Sequence, residues 1–302
     1  MKISLELLQM LDAIERHGSF SAAAAALHRV PSAISHAIGK LEDELGFALF
    51  EREGRRALLN PAGRTLLEDG RHLLQAAAEL ERRVQRIATG WEAELRIAVD
   101  MLIPVERLYP LVARFLDAGH ATRIRLSYEV LGGTWDALAT GRADLAIGAP
   151  GDLPPRGGIA TRPLGETRLL PVVAPAHPLA RWRGPVPDEE LRRHRAVVIA
   201  DTSQELRART IGLQDGQPVL RVPDMRAKAA AQVAGLGFGH LPRWLAAPEL
   251  AAGRLVEIRL AEPRPLTPYH LAWRTRHQGL AQAWFLEALA DPATLAQLNQ
   301  DI

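Results

Sequence analysis

Between residues 29 and 56 the chain concentrates short polar and basic side chains. The candidates are Arg29, Ser32, Ser35, His36, Lys40, Arg52, Arg55 and Arg56. Serine and histidine can hydrogen-bond to the base edges or phosphates of a nucleic acid, and cationic side chains bind its phosphates. Such contacts need a rigid element that presents the side chains on one surface, so the surrounding apolar pattern decides whether they are possible.

Four of these residues lie on a predicted helix that begins at Pro31, a favoured first position because proline has no N–H to leave unpaired. The apolar residues of the helix follow at steps of four, three and four: Ile34, Ile38, Leu41 and Leu45. They form one face, and Ser32, Ser35, His36 and Lys40 share the other. An ordinary amphipathic helix with a solvated face has the same pattern, so this helix alone does not establish nucleic acid binding.

Two helices are predicted before this one. The first has apolar residues at every third position: Leu5, Leu8, Leu11 and Ile14. Gly18 is a suitable end for it. Ser19 or Ser21 can cap a second, short helix that contains the alanines 22–26. These alanines either reflect composition bias or allow the close helix packing that a helix-turn-helix unit needs.

A basic β-hairpin is predicted after the third helix. Apolar residues flank its turn at Gly54 on both sides: Leu49, Phe50, Leu58 and Leu59. Arg52, Arg55 and Arg56 near the tip can reach phosphates or the minor groove, although two glutamates beside them can neutralise part of this charge. Three helices followed by a basic hairpin form a winged helix-turn-helix, in which a recognition helix enters the major groove.

A longer helix is predicted to begin at Asn60 and Pro61, a capping residue and a favoured first residue. Its apolar residues form a heptad seam: Leu66, Gly70, Leu73, Ala77, Leu80, Val84 and Ile87. A seam of this regularity predicts a dimerisation helix, because a DNA-reading dimer must hold two recognition helices about 34 Å apart. Packing of the seam onto the chain's own body is the alternative.

The composition bounds the possible classes of protein. The 302 residues are 47% apolar and 24% charged, as expected for two or three folded domains. Cysteine is absent, which excludes a disulfide scaffold and thiolate metal sites. We find no secretory signal and no apolar run of about 18 residues, so we expect a cytoplasmic protein without membrane contact. The net charge is only +2, so any DNA binding must come from where the charges lie.

Beyond Gly90 the pattern changes to alternating strands and helices. Strands are predicted at 94–100, 122–129, 143–148, 168–174, 196–200, 218–222 and 269–273, and the second unit of the pattern also includes the segment 235–242. Helices are predicted from Pro104, around 135–139, near 225–234 and around 278–290. Repeated β-α-β units of this kind predict a parallel sheet.

The segment GSFSAAAAALHRVPSAISHAIGKLEDELGFALFEREGRRALLNPAGRTLLEDGRHLL, residues 18–74, resembles the DNA-binding end of the LysR-type transcriptional regulators. The resemblance is carried by Gly18-Ser19-Phe20, the Ala-Ala pair before Leu27, Ser35, Leu41-Glu42, Leu45-Gly46, Leu49-Phe50-Glu51-Arg52 and Pro61-Ala62-Gly63. Where the family usually has Ser-Gln-Pro-Ala, this chain has residues 30–33, Val-Pro-Ser-Ala, so a different DNA half-site is expected. Further stretches resemble the family's effector domain: residues 145–148, 177–179 and 235–237.

The resemblance implies a fold class: an N-terminal winged helix-turn-helix with a long linker helix, then an α/β effector domain of two Rossmann-like lobes, similar to periplasmic binding proteins. The expected domains are 1–60, 61–90 and 91–302, with lobe I at about 91–165 and 268–302 and lobe II at about 166–267. The implied function is DNA-binding transcriptional regulation, in which a small-molecule effector in the cleft between the lobes changes DNA bending and transcription. The implied assembly is a homotetramer, a dimer of dimers, on double-stranded DNA with an interrupted inverted repeat, with RNA polymerase as a further candidate contact.

Parallel α/β sheets bind ligands beyond the carboxyl ends of their strands. By this rule the candidate effector-binding residues are Asp100, Met101, Leu102, Glu129, Gly148, Thr202, Ser203 and Asp224. With Asp201, four acids lie at strand ends, so we favour an effector that is neutral, a hydroxylated aromatic or cationic. Helix capping is the alternative for Asp201 and Asp224, whereas Asp100 lies too far from Pro104 to cap the helix there.

Other classes of protein lack their expected motifs here. Gly235, Gly237 and Gly239 do not have the spacing of a dinucleotide-binding loop, and no nucleophile-elbow, zinc-protease or phosphate-loop motif occurs. The ten histidines show no paired ligand spacing. We therefore expect no catalytic residue, no metal site and no cofactor. A solute-binding transport protein would suit the fold of residues 95–290, but such proteins are exported and do not carry a winged helix.

Overall fold

The structure is a computed structural model that describes residues 2–53, 56–151, 157–209, 213–276, 278–300 and 302. Gly54 and Arg55, in the turn of the predicted hairpin, lie outside the described residues, and the side chains of Arg52 and Arg56 are not described either. The chain forms two compact units, Met1–Ala88 and Thr89–Ile302. Within the described ranges, no helix is both long and apolar enough to span a membrane.

The first unit contains helices and a two-stranded antiparallel hairpin in the predicted order. They are α1 (Leu5–His17), α2 (Phe20–Ala26), α3 (Pro31–Leu45), β1 (Phe50–Glu53), β2 (Arg56–Leu59) and α4 (Pro61–Thr89). Ser4 and Ser19 cap α1 and α2, because their hydroxyl oxygens accept hydrogen bonds from backbone N–H groups of the first turns. Gly18 and Gly46 follow α1 and α3 in the left-handed conformation that glycine adopts without strain.

The apolar core of the first unit lies among α1, α2 and α3. Ile14, Ile34 and Ile38 are almost completely buried, so the predicted apolar face of α3 is confirmed. Ala23 and Ala24 of α2 belong to the same buried cluster. Their small side chains allow the backbones to approach closely, so the alanine run serves helix packing here.

The N-terminal part of α4 packs closely against the rest of the first unit. A β-carbon on Gly63 would lie only 2.3 Å from the carbonyl oxygen of Leu49, so a larger residue would collide with backbone there. Farther along α4, large apolar side chains of the predicted seam are exposed: Leu73, Leu80, Val84 and Ile87. This part of the seam is therefore not covered by the residues that the structure describes.

The second unit alternates strands and helices. Its strands are β3 (Glu94–Asp100), β4 (Arg123–Glu129), β5 (Leu145–Pro150), β6 (Ile159–Thr167), β7 (Leu170–Val173), β8 (Ala196–Ile199), β9 (Val219–Val222), β10 (Gly239–Leu241), β11 (Val256–Glu257) and β12 (Thr267–Arg274). Its helices are α5 (Tyr109–Asp117), α6 (Gly132–Ala139), α7 (Asp188–Arg193), α8 (Met225–Val233), α9 (Arg243–Ala251), α10 (Leu280–Ala288) and α11 (Pro292–Asn299).

The largest sheet has the strand order β4-β3-β5-β12-β6. Strands β4 and β5 run parallel to β3, whereas β12 runs antiparallel to both β5 and β6. Within this sheet the predicted parallel pairing therefore holds only for β3, β4 and β5. The sheet is mixed because β6 leads the chain away from it and β12 brings the chain back, with Thr167 paired to Thr267. We call the elements around this sheet lobe I.

The remaining strands form smaller sheets, and we call the elements around them lobe II. Strands β10, β7 and β11 form an antiparallel sheet, and β8 pairs in parallel with β9. Five elements of the second unit were not predicted: β6, β11, α7, α9 and α11. Two of them contain a proline in their interior, Pro163 in β6 and Pro248 in α9, which weakens the sequence signal, and β11 has only two residues.

Candidate functional site

The polar face of α3 is exposed, as the sequence predicts. Ser32, Ser35, His36 and Lys40 all lie in the solvent-accessible part of the helix. Lys40 Nζ lies 3.9 Å from Glu44 Oε1, a surface pair that contributes little and that a phosphate could replace. The first turns of α3 therefore present hydroxyl, imidazole and ammonium groups on a surface backed by buried isoleucines.

Arg29, in the turn before α3, is exposed but already paired. Its guanidinium lies 2.6 Å from Glu6 Oε1 of α1. Both partners are exposed, so the pair is screened by solvent and can open when a phosphate is offered. Any contact of Arg29 with a nucleic acid would therefore compete with Glu6.

Glu42 fixes the hairpin to α3, a role that its sequence position did not reveal. Glu42 Oε1 accepts hydrogen bonds from the backbone N–H of Leu49 at 2.6 Å and of Phe50 at 3.3 Å. Asn60, after β2, donates from its side chain to the carbonyl of Ala48 at 2.7 Å. The start of the hairpin is thereby anchored to α3 itself, and its end to the chain segment that follows α3.

A cavity of about 260 Å³ lies between lobe I and lobe II. Of the predicted effector residues, Asp100, Met101 and Leu102 line it. Asp201 lines it as well, and its carboxylate accepts hydrogen bonds from the backbone N–H of Gly132 at 3.0 Å and of Arg209 at 2.7 Å. The strand-end rule therefore locates the lobe I wall of the cavity.

Asp100 ends β3 and is only 3% exposed. Its carboxylate accepts hydrogen bonds from the N–H groups of Leu102 at 3.0 Å and Leu131 at 3.2 Å, and from Thr134 Oγ1 at 3.1 Å. Burial raises the pKa of Asp100 to about 7, because these donors only partly offset desolvation, and the charge of Asp201 adds to the rise. Asp100 thus provides a hydrogen-bond acceptor for Leu131 and Thr134 at the start of α6.

Glu129 and Thr202 are brought together, but they connect the lobes and do not line the cavity. Thr202 Oγ1 donates to Glu129 Oε2 and accepts from the N–H of Val130 at 3.0 Å. Because Val130 and Glu129 belong to lobe I and Thr202 to lobe II, these bonds hold the two lobes together.

Asp136 and Arg142 extend this connection, and neither was found from the sequence. Arg142 binds Glu129 at 2.5 Å and Asp136 at 2.9 Å. The fully buried Asp136 also accepts hydrogen bonds at 2.7–3.1 Å from the backbone N–H groups of residues 204–206 in lobe II. No strand-end rule identifies these two side chains, because they lie within α6 and in the loop after it.

Three other predicted effector residues also lie outside the cavity wall. Gly148 has a φ of 87°, and a β-carbon there would lie 2.8 Å from Ile103 Cδ1, so the position serves packing. Asp224 caps α8 by accepting from the N–H of Ala227 at 2.7 Å, which agrees with the capping alternative. Ser203 Oγ is buried and has no hydrogen-bond partner within the described part of the chain.

The lobe II wall carries basic groups that the sequence reasoning missed: Arg209, Arg221, Lys228, His240 and Arg264. Arg264 Nε donates to His240 Nε2 at 3.1 Å. Burial, together with the nearby charges of Arg264 and Lys228, lowers the pKa of His240 to about 3, so its ring is neutral. Burial and Arg264 likewise lower the pKa of Lys228 to about 8. Lys228 projects from α8 rather than from a strand end, which explains why the rule did not find it.

Both units match a known family. Residues 5–64 match the family described as "Bacterial regulatory helix-turn-helix protein, lysR family", and residues 88–293 match the "LysR substrate binding domain". The chain is 38% identical over 296 residues to YeeY, an uncharacterized HTH-type transcriptional regulator of Escherichia coli K12. This alignment covers 98% of this chain and 96% of YeeY. It is 39% identical over 288 residues to the HTH-type transcriptional regulator PunR of the same organism, with 95% and 93% covered.

A solved structure shows the same fold. The crystal structure of full-length CbnR complexed with its target DNA has a TM-score of 0.59 and 23% identity, and the match covers 95% of this chain and 99% of CbnR. The chain belongs to the LysR family of transcriptional regulators, whose members bind DNA and small-molecule effectors. It is therefore a transcriptional regulator and not an enzyme.

Proposed function

We propose that this regulator recognises double-stranded DNA with the exposed face of α3 and contacts the DNA backbone with the β1–β2 hairpin. The observation that carries the proposal is the exposed polar face of α3, Ser32, Ser35, His36 and Lys40, on a helix whose Ile34 is completely buried. Short polar groups near the N-terminus of such a helix suit contacts with base edges in the major groove. The hairpin arginines, Arg52, Arg55 and Arg56, would supply phosphate contacts by charge.

The test is DNA binding by the full-length protein, measured by fluorescence anisotropy with a duplex taken from the DNA flanking its own gene. His36→Ala should lower the affinity about tenfold, because one good base contact contributes about 1–3 kcal/mol. It should also reduce the preference for this duplex over a scrambled one.

His17→Ala is the matched control, because His17 is an exposed histidine at the end of α1 and not on the polar face of α3. Equal affinity and equal sequence preference for wild type, His17→Ala and His36→Ala would refute the assignment of α3 as the reading helix.

The proposed assembly is a dimer of dimers on an interrupted inverted repeat, with RNA polymerase as a further candidate contact. Its support from this chain is the exposed seam of α4, which leaves Leu73, Leu80, Val84 and Ile87 uncovered. Large apolar stripes with a heptad spacing are buried by pairing with a second helix. Two paired chains would place two copies of α3 on successive turns of the same face of the DNA.

The small-molecule effector is proposed to bind in the cavity between the lobes. The sequence favoured a neutral, hydroxylated aromatic or cationic effector because four acids lie at strand ends. The contacts weaken that premise, because Glu129 is paired with Arg142 and Asp224 caps a helix. Asp100 retains one free acceptor position after its three hydrogen bonds, so a hydroxyl group on the effector remains part of the proposal.

Effector binding would act by changing the packing of the lobes. The bonds of Thr202 with Glu129 and of Asp136 with residues 204–206 cross from one lobe to the other close to the cavity. A ligand that touches both lobes stabilises one arrangement of these contacts over another. In an oligomer that change would alter the spacing of the reading helices and the DNA bend that they impose.

A further inference from the structure

Two basic groups of the lobe II wall, Lys228 and Arg264, have no carboxylate partner in the part of the chain that the structure describes. Arg264 has the neutral ring of His240 as its hydrogen-bond partner, and the interaction between Lys228 and Arg264 is repulsive. These two cations therefore face the cavity without ion pairs of their own, although Asp100 and Asp201 also line it.

Two arginines elsewhere in the second unit are neutralised by carboxylates. Arg96 pairs with Asp144 at 2.6 Å, and Arg142 pairs with both Glu129 and Asp136. Burying a cation without a partner costs free energy, so proteins pair such groups with an anion of their own or of a ligand. The cavity combines this cost with space for a ligand.

The positions of the basic side chains are held by the surrounding structure. A β-carbon on Gly239 would lie 3.1 Å from Lys228 Cε, so the glycine of β10 leaves the space that the lysine stem occupies. The hydrogen bond from Arg264 Nε to His240 Nε2 fixes the orientation of the guanidinium group. Because His240 stays neutral, it can keep accepting this bond at physiological pH.

We propose that Lys228 and Arg264 bind an anionic group of the effector, which is a small organic acid. This inference rests on the proposed role of the cavity as the effector site. The apolar side chains of Val130, Val198 and Met225 between the basic and acidic ends would cover the carbon skeleton. The cavity has a volume of about 260 Å³, which is small for a ligand site. We therefore expect the acid to contain a single ring or a short carbon chain with few further atoms.

The test compares acids with their uncharged amides on the full-length protein. Benzoate, 4-hydroxybenzoate, hexanoate and 3-hydroxybutyrate are titrated by isothermal calorimetry at pH 7, each against the corresponding amide. At least one acid should bind at least tenfold more tightly than its amide. The proposal is overturned if no acid in the series binds more tightly than its amide.

Variants then assign the anion to its site. Lys228→Met should weaken binding of the preferred acid at least tenfold, while Lys228→Arg should retain most of it. Arg183→Met is the matched control, because it removes an exposed lobe II cation that does not line the cavity. Circular dichroism of each variant establishes that it is folded. Unchanged acid binding by folded Lys228→Met also overturns the proposal.

DNA binding is measured in parallel on the same preparations, so the two hypotheses can fail separately. Selective acid binding with no DNA binding by wild type would leave this inference standing and refute the proposed regulation through α3. DNA binding by wild type together with equal binding of acids and amides would refute only the inference.

Discussion

At the scale of single residues, two buried acids of lobe I show how hydrogen-bond donors and neighbouring charges determine the pKa of a carboxyl group. Burial favours the neutral form of both Asp100 and Asp136. For Asp136 the backbone N–H groups of residues 204–206 and the guanidinium of Arg142 outweigh burial and lower its pKa. Asp100 has donors but no cation, and its pKa rises to about 7. Asp136 is therefore a charged structural group, whereas Asp100 can change charge near neutral pH.

This difference predicts a pH dependence that belongs to Asp100. Between its ordinary pKa of 3.8 and about 7, the folded protein keeps a proton that the unfolded chain has lost. The free energy of unfolding should therefore fall by up to about 1.4 kcal/mol per pH unit through that window, and the fall should stop above pH 7. Asp100→Asn removes this contribution, so its melting temperature relative to wild type should rise from pH 5 to pH 7.

Differential scanning calorimetry at several pH values measures this effect. The substitution also disturbs three hydrogen bonds, which gives an offset that does not depend on pH. A difference between wild type and variant that stays constant from pH 5 to pH 8 would contradict the raised pKa.

At the scale of elements, the hairpin depends on α3 through Glu42. One carboxylate oxygen accepts from two successive N–H groups, those of Leu49 and Phe50. Because the end of α3 and the start of β1 are joined in this way, the hairpin and the reading helix should act on DNA as one body. The seam of α4 is also a feature of one element, and its outer part is exposed among the described residues.

Glu42→Ala should lower the free energy of unfolding by about 1 kcal/mol, because two backbone donors lose their acceptor. DNA affinity should fall as well, since the hairpin is no longer fixed beside α3. Asp43→Ala is the control, because Asp43 is exposed and next in sequence. Chemical denaturation and fluorescence anisotropy measure the two effects, and equal values for the two variants would contradict the anchoring role.

Leu80→Asp should dissociate the oligomer, because it places a charge in the exposed seam of α4. Sedimentation velocity should show a smaller species than wild type at the same concentration. His72→Asp places the same side chain at an exposed position outside the seam and should leave the assembly unchanged. An unchanged sedimentation coefficient for Leu80→Asp would show that the seam is not the dimer contact.

At the scale of the whole molecule, the second unit is held together across its two lobes by polar contacts. Trp244 Nε1 of lobe II donates to the carbonyl of Leu102 at 2.9 Å, and Arg226 pairs with Glu106 at 2.7 Å. Together with the bonds of Asp136 to residues 204–206, these contacts surround the cavity from both lobes. Because these contacts are polar, they can break and re-form when the lobes rearrange. The free energy of ligand binding can offset the cost of breaking them.

Asp136→Ala should strongly destabilise the second unit. It leaves three N–H groups of residues 204–206 without an acceptor and removes one of the two carboxylates that bind Arg142. We expect a loss of about 3 kcal/mol, seen as a lower melting temperature by calorimetry. Asp117→Ala removes an exposed acid in the same lobe and should change little. A melting temperature equal to that of wild type would contradict the bridging role.

Local patterns in the sequence were sufficient for the first unit. The apolar spacing of Ile34 and Ile38, the capping serine at position 19 and the glycines after α1 and α3 all act over a few residues, so their effect can be read without knowing the fold. The same holds for the alternation of strands and helices in the second unit. The exposed face of α3 was predictable for the same reason.

Only the tertiary structure decided how distant residues combine. Several contacts join positions that are far apart in the chain. Strand β12 returns antiparallel to β6, Asp100 accepts a hydrogen bond from Thr134 of α6, and Asp136 accepts hydrogen bonds from residues 204–206. The basic wall of Lys228, His240 and Arg264 likewise comes from a helix, a strand and a loop. Periodicity fixes which face of an element is buried, but the charge inside a cavity depends on which faces meet, and that is determined by packing across the whole unit.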